Sequence, residues 1–134
     1  MKIGAIFGCF DLFHIGHLNI LRRCKENCDY LIVGVCNDQH IKDRKMRTPT
    51  FSESERLSIV SSIKYVDEAH LIYGDLIDNV DLLESKKVDI IFAGSDHKNE
   101  DQFNKLNAEI MIFPYTPGIS TTKIIERLNE PNFE

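Results

Sequence analysis

The chain has 134 residues, enough for one hydrophobic core and too few for two independent ones, which predicts a single domain over residues 1–134. Apolar residues make up 43% and charged residues 28% of the chain, a balance that excludes intrinsic disorder. The formal net charge of −5 argues against nucleic acid as a partner, because phosphate backbones are held mainly by clustered Lys and Arg.

The first half of the chain alternates short β-branched runs with longer amphipathic stretches, which predicts an α/β fold with a parallel sheet. Lys2–Phe7 is the first predicted strand, followed by a glycine-containing loop over residues 8–13 and a helix over His17–Asn27. Tyr30–Cys36 is apolar almost throughout, which is typical of a central strand buried on both faces. The polar and basic segment Asp38–Pro49 is predicted to be a loop.

The second half continues this alternation. Ser52 and Glu55 have the spacing of a capping box, which predicts a helix starting there. The later elements are predicted as a strand, a helix, two strands and a helix capped at Ser120: Glu68–Ile72, Leu76–Lys86, Val88–Ala93, Glu109–Phe113 and a last helix ending near Leu128. Together these elements predict a single Rossmann-like domain with a five-stranded parallel sheet flanked by helices.

Two features of the sequence bear on location and metal content. The N-terminal segment lacks the apolar stretch of a signal peptide, and no apolar run approaches the ~20 residues that cross a bilayer, so we expect a cytoplasmic protein with no membrane partner. The four cysteines are therefore expected to be free thiols. Cys24 and Cys28 would share a helical face, but no second pair stands at metal-ligand spacing, so no protein metal site is predicted.

The segment after the first strand holds the residues that best fit phosphate chemistry. His14 and His17 bracket Gly16 at a predicted helix start, and a helix N-terminus attracts anions through its free N–H groups. Imidazoles can donate hydrogen bonds to phosphate oxygens, and Gly16 leaves space for a nucleotide against the backbone. On this segment alone, the alternative that each histidine is an ordinary solvent-facing cap stays open.

The motif GCFDLFHIGH, at residues 8–17, resembles the first signature of the cytidylyltransferase family, within the HxGH nucleotidyltransferase superfamily. The segments YLIVGVCND, SESERLSIVSSIKYVDEA and PGISTTKI resemble that family in the same order and spacing over nearly the whole chain. The resemblance implies a transferase that moves CMP from CTP to a phosphorylated alcohol and releases pyrophosphate. The short members that act on glycerol-3-phosphate are the most similar, while members acting on phosphoethanolamine, phosphocholine or heptose-1-phosphate share the signatures.

The resemblance also implies site residues. Three residues are assigned to catalysis: His14, His17 and Arg56. The nucleotide is assigned to residues of four loops or helix starts: Gly8, Cys9, Phe10, Asp11, Gly16, Lys45, Arg47, Gly94, Asp96, Tyr115, Thr116, Gly118, Ser120, Thr121 and Thr122. The histidines would hold the α- and β-phosphates while the cations neutralise the rest. A Mg²⁺ cofactor bridging the phosphates is expected, with Asp11 a candidate to orient it, and the chain is expected to form a homodimer.

Two places depart from the family pattern. Tyr115 stands where the family has an arginine, and a neutral phenol cannot reproduce the bidentate charged contact of a guanidinium with phosphate. The segment GSDH, at residues 94–97, also differs from the usual form of a region associated with the acceptor and the base. Two alternatives to CMP transfer therefore stay open: transfer of AMP to heptose-1-phosphate, and a nucleotide-binding protein that has lost catalysis.

Overall fold

The computed structural model describes residues 1–94, 107–114 and 116–131. Its five strands are β1 (Ile3–Gly8), β2 (Tyr30–Cys36), β3 (Glu68–Ile72), β4 (Ile90–Gly94) and β5 (Glu109–Phe113). Its helices are α1 (Ile15–Glu26), α2 (Asp38–Lys45), α3 (Glu53–Ser61), α4 (Val80–Ser85) and α5 (Thr121–Leu128), and a 3₁₀ turn over Leu76–Asn79 precedes α4.

The five strands form one sheet in the order β3-β2-β1-β4-β5, and every neighbouring pair is parallel. This confirms the predicted Rossmann-like sheet. The chain builds outward from β1 to β3 and then returns to the other side of β1 with β4 and β5. The order of strands therefore reverses between β1 and β4, and in open α/β sheets ligands bind beyond the strand carboxyl ends at such a point.

The core follows from the apolar strands predicted from the sequence. Six of the seven residues of β2 and four of the five residues of β4 are buried, so both strands carry apolar side chains on both faces. The bounds of β2, β3 and β5 are as predicted, and α3 and α5 begin directly after their predicted caps, Ser52 and Ser120.

The prediction that Asp38–Pro49 is a loop is wrong for its first eight residues, which form α2. The Asn37 side chain caps this helix by accepting from the His40 N–H at 2.9 Å. Three cations in its last turn face the negative end of the helix dipole: Lys42, Arg44 and Lys45. Within α2 only His40 and Ile41 are buried, so the segment shows no apolar periodicity that would reveal a helix.

Other boundaries shift as well: β1 begins and ends one residue later than predicted, and β4 begins two residues later and ends one residue later. The first helix begins at Ile15, two residues before the predicted start, because His14 caps it. The predicted Leu76–Lys86 helix is divided into the 3₁₀ turn and α4. All four cysteines are free thiols, as predicted. Within the described part of the chain, no helix is long and apolar enough to span a membrane.

Candidate active site

A cleft with two lobes lies at the carboxyl edge of the sheet. The first lobe, about 470 Å³, is bounded by the ends of β1, β2 and β4 and by the C-terminal end of α2. The second lobe, about 560 Å³, runs from the start of α1 to the start of α5. The two lobes share five lining residues: His17, Ile20, Lys45, Arg47 and Thr121. The cleft therefore joins the segment after the first strand to the last helix, which are a hundred residues apart in sequence.

His14 and His17 form a capping box at the start of α1. The Gly16 N–H donates to Nδ1 of His14 at 3.0 Å, and the His14 N–H donates to Nδ1 of His17 at 3.2 Å. Because each Nδ1 is an acceptor, each neutral ring carries its proton on Nε2. The rings stack with their centroids 3.9 Å apart. The helix cap thus fixes the tautomer of two neighbouring rings and leaves two Nε2–H groups as hydrogen-bond donors.

Both rings are neutral near neutral pH. Burial lowers the pKa of His17 to about 3, with His14 and Lys45 adding to the effect and Asp11 opposing it. Burial also lowers the pKa of His14. The pair therefore offers hydrogen bonds to a phosphate without adding positive charge, and the charge must come from other groups.

Those charges come from the C-terminal end of α2. Lys45 is the last residue of the helix and Arg47 follows two residues later, after Met46 turns the chain with a φ of 56°. Both side chains line both lobes. The Arg44 side chain lines the first lobe and pairs with Asp75. The structure thus brings Lys45 and Arg47 to the same cleft as the histidine pair, as the sequence analysis expected.

The second lobe ends on the start of α5. Ser120 caps this helix by accepting from the Lys123 N–H at 3.1 Å, and Gly118 has a φ of 82°, which favours glycine. Five predicted nucleotide-binding residues line this lobe: Thr116, Gly118, Ser120, Thr121 and Thr122. The helix start faces the same space as the histidine pair, so the lobe has hydrogen-bond donors on two sides.

The first lobe contains most of the remaining predicted residues. These are Gly8, Cys9, Phe10, Asp11 and Gly94. Phe10 is buried with a φ of 55°, a backbone conformation uncommon outside glycine. Asp96 and Tyr115, which the sequence analysis also assigned to the nucleotide, lie outside the described residues.

Gly16 has a structural role in addition to the expected one. A Cβ atom at this position would lie 2.8 Å from Cε1 and 3.0 Å from Nδ1 of the His14 ring, and 3.4 Å from the Ile119 side chain. Glycine is therefore required here because the His14 ring folds back over its own helix start. Gly16 also lines the second lobe, so its assignment to the nucleotide stays a prediction.

Arg56 also differs from its expected role. Its guanidinium is fully buried and donates through Nε to the Phe51 carbonyl at 3.0 Å and through Nη2 to Oδ1 of Asp38 at 2.7 Å. Its Nη1 donates to the carbonyls of Cys9 and Cys36, both at 2.7 Å. Arg56 lines neither lobe, so the expected direct contact with phosphate is replaced by a bracing position beneath the first lobe.

Asp11 is a second structural anchor. Its carboxylate is 3% exposed and lies 3.8 Å from Nη1 of Arg47. Three backbone N–H groups donate to it at 2.8 to 3.1 Å: those of Leu12, Thr50 and Phe51. The Thr121 hydroxyl donates to the Asp11 carbonyl at 2.9 Å. The carboxylate that the resemblance assigns to orienting Mg²⁺ is therefore engaged by protein groups in this structure. No group of three or more His, Cys, Asp or Glu among the described residues is placed to hold a metal ion.

His40 and Cys36 line the first lobe, although neither was predicted as a site residue: Cys36 lies within the YLIVGVCND segment, and His40 lies outside every motif. His40 Nδ1 accepts from the Gly74 N–H at 2.6 Å, and its ring meets Tyr73 edge-on. Cys36 ends β2 and His40 lies in the first turn of the helix that follows it. Their positions at and just after the carboxyl end of a central strand are the signal that could have identified them.

A sheet with this switch point, carrying a pair of imidazole donors, nearby cations and a helix start, is typical of α/β nucleotide-binding proteins. A family model described as cytidylyltransferase-like matches residues 5–127, so the chain belongs to that family and is a nucleotidyltransferase. It is 34% identical to the glycerol-3-phosphate cytidylyltransferase of Bacillus subtilis, over 96% of this chain and 98% of that protein. It is 36% identical to the FAD synthase of Pyrococcus horikoshii, over 94% and 91%.

A solved structure gives the same fold. The lipopolysaccharide core biosynthesis protein of Thermoplasma volcanium superimposes with a TM-score of 0.71 and 31% identity, over 87% of this chain and 97% of that one. The family and the enzyme class predicted from the sequence are thereby confirmed.

Proposed function

We propose that this chain transfers CMP from CTP to the phosphate of glycerol-3-phosphate and releases pyrophosphate. The observation that carries the chemistry is the stacked pair of neutral histidines, His14 and His17, which line the second lobe of the cleft together with Lys45 and Arg47. The choice of nucleotide and acceptor rests on the glycerol-3-phosphate cytidylyltransferase likeness, which extends over nearly the whole of both chains.

In the proposed reaction an oxygen of the acceptor phosphate attacks the α-phosphorus of the nucleotide. The bond from that phosphorus to the oxygen bridging to the β-phosphate breaks, and pyrophosphate leaves with the bonding electrons. The acceptor phosphate is already ionised near neutral pH, so no side chain has to remove a proton. Each histidine Nδ1 is occupied by the cap, so catalysis comes from positioning and charge stabilisation.

Each group has a part in this scheme. The Nε2–H groups of His14 and His17 donate to phosphate oxygens that gain charge in the transition state. Lys45 and Arg47 neutralise the triphosphate, and the start of α5 holds its other end. We propose that Mg²⁺ enters on the triphosphate, because the described residues provide no cluster of ligands for it. The ion would supply charge neutralisation on the phosphates.

A second candidate function is transfer of AMP from ATP to FMN, which is also a phosphorylated alcohol. The observation that favours it is the 36% identity to the Pyrococcus FAD synthase over more than nine-tenths of each chain. Both reactions need the same phosphate site. They differ in the base of the nucleotide and in the part of the acceptor beyond its phosphate.

A pyrophosphate-release panel distinguishes these reactions. CTP and ATP are each paired with glycerol-3-phosphate, FMN, heptose-1-phosphate, phosphoethanolamine and phosphocholine, with Mg²⁺ present. We expect the highest kcat/KM for CTP with glycerol-3-phosphate. A higher value for ATP with FMN would replace the first proposal by the second, and preference for another pair would identify that acceptor instead. Release from no pair, with nucleotide binding retained, would favour a protein that has lost catalysis.

We also propose that the chain acts as a homodimer in the cytoplasm, as the family resemblance implies. Sedimentation at micromolar concentration is expected to give a single species of twice the mass calculated from the sequence. A monomer alone would contradict the dimer.

A further inference from the structure

Two thiols lie side by side beneath the first lobe, and the proposed reaction uses neither. Gly8 of β1 is in register with Val35 of β2, so the next residues, Cys9 and Cys36, leave adjacent strands at the same level. Neighbouring strands are ~4.8 Å apart, within the ~4.4–6.8 Å range of Cα separations that a disulfide spans. Nη1 of Arg56 binds both cysteine carbonyls at 2.7 Å and holds the two backbones together.

The two thiols differ in access. Cys9 is half-buried and lines the first lobe, whereas Cys36 is 7% exposed and packs with Ile41 and Ile72. Cys9 packs against that same small cluster, so its side chain contacts both the cleft and the cluster around Cys36. A small oxidant in the cleft can therefore reach Cys9 first.

The charges around Cys9 favour its reactive form. A hydrogen bond from the Cys36 thiol lowers the pKa of Cys9, and the cations Lys45 and Arg56 lower it further against the opposing effect of burial. The same hydrogen bond, together with burial, raises the pKa of Cys36. The thiolate is the nucleophile in thiol chemistry, so Cys9 is the attacking group and Cys36 the group that resolves the product.

The other two cysteines provide a natural comparison. Cys24 and Cys28 are also neighbours, one helical turn apart near the end of α1, and the Cys28 thiol donates to the Cys24 carbonyl at 3.2 Å. Burial raises the pKa of each. Neither lines the cleft within the part of the chain that the structure describes.

We propose that Cys9 is an oxidant-sensitive thiol of the nucleotide cleft and that it forms a reversible disulfide with Cys36, which switches the enzyme off. With hydrogen peroxide as oxidant, the Cys9 thiolate attacks one peroxide oxygen and the O–O bond breaks. The released hydroxide takes a proton to become water, and Cys9 becomes a sulfenic acid. The Cys36 sulfur then attacks the Cys9 sulfur, the S–O bond breaks, and a second water leaves with the Cys36 proton.

The disulfide acts on the site through the loop over residues 9–13, between β1 and the His14 cap of α1. Bond formation brings the two sulfur atoms to ~2.05 Å, well inside their hydrogen-bond separation. The loop cannot follow freely, because Phe10 and Leu12 already have φ values of 55° and 49° and the Asp11 carboxylate is held by backbone donors. His14 follows this loop directly, and a displacement of ~1 Å at a catalytic group can lower turnover by about 10²-fold.

The first test measures the thiols themselves in the full-length reduced protein. Limiting iodoacetamide at about neutral pH should alkylate Cys9 at least about tenfold faster than the other three cysteines, because it has the largest thiolate fraction. CTP and ATP are added in separate experiments to determine which nucleotide slows this alkylation. Equal rates at all four cysteines would overturn the proposal, as would a fastest reaction at Cys24 or Cys28.

The second test treats the protein with hydrogen peroxide and maps its peptides. We expect a Cys9–Cys36 link, the loss of two hydrogens from the intact mass, and recovery of both thiols with dithiothreitol. The Cys28→Ser control should give the same link. In Cys36→Ser, the Cys9 sulfur should instead pass to the sulfinic acid, which dithiothreitol does not reverse. A Cys24–Cys28 link, or no link at all, would refute the proposed pair.

The measurement of activity rests on the proposed function, whereas the peptide mapping of the disulfide does not. Pyrophosphate release should fall by about 10²-fold when the link forms and return with dithiothreitol, as expected for a displaced site. Full activity of the linked protein would overturn the switch. If the reduced protein releases no pyrophosphate from any pair, the proposed function fails while the mapping still decides the disulfide.

Discussion

Replacement of His17 can separate two roles of its imidazole ring, capping of α1 and hydrogen bonding to the substrate. Nδ1 of His17 accepts from the His14 N–H at 3.2 Å and so contributes to the cap of α1, while Nε2–H is left for the substrate. In His17→Asn, the amide oxygen can occupy the place of Nδ1, but the side chain is too short to reach the place of Nε2. The variant therefore retains the cap and removes the donor.

The two expected magnitudes differ accordingly. Loss of one preorganised donor to a developing phosphate charge costs about 10²–10³ in kcat, or ~2.7–4 kcal/mol of transition-state stabilisation. Loss of a helix cap costs ~1 kcal/mol of folding stability. We therefore expect His17→Asn to lose about 10²–10³ in kcat with the unfolding free energy of the parent. His17→Ala should lose kcat similarly and also be less stable by ~1 kcal/mol.

The assay follows pyrophosphate release continuously and compares it with urea unfolding measured by circular dichroism. His70→Asn is the matched control, because His70 lies on the edge strand β3, where Nε2 is 2.6 Å from Glu68 and away from the cleft. The control should retain the parent kcat. A folded His17→Asn variant with kcat within about threefold of the parent would refute the donor role of His17.

Gly16→Ala should lower kcat by about tenfold or more, because its Cβ would displace the His14 ring; a kcat equal to the parent's would contradict this. Arg56→Met should reduce the urea-unfolding free energy by about 3 kcal/mol or more, because three backbone carbonyls lose their donor at ~1–3 kcal/mol each, and a change below about 1 kcal/mol would argue against its bracing role. Arg47→Ala should weaken nucleotide binding by about tenfold, or ~1.4 kcal/mol, as measured by calorimetry. As the pH falls from 6.5 towards about 3, the unfolded chain protonates His17 while the folded chain does not, so stability should decline in this range, and less so in His17→Asn.

The sequence by itself determined the elements whose signals are local. The β2 strand was recognisable because a continuous run of apolar residues, typical of a strand buried on both faces, can be detected without knowing which strands pair with it. The starts of α3 and α5 were recognisable because Ser52 and Ser120 bind N–H groups three residues ahead in their own helices. Family motifs added the histidine pair and the start of α5, and the structure brings both to one cleft.

Only the tertiary structure decided the features that depend on contacts between distant segments. The α2 helix is fixed by a cap and two buried side chains rather than by a repeating apolar pattern. Arg56 is buried because two strand ends, 47 and 20 residues away in sequence, present carbonyls to its guanidinium. The closeness of Cys9 and Cys36 follows from the β1–β2 register. The type and spacing of residues indicate which ligands they can bind. The tertiary contacts around each residue determine which of its polar groups stay free to bind a ligand.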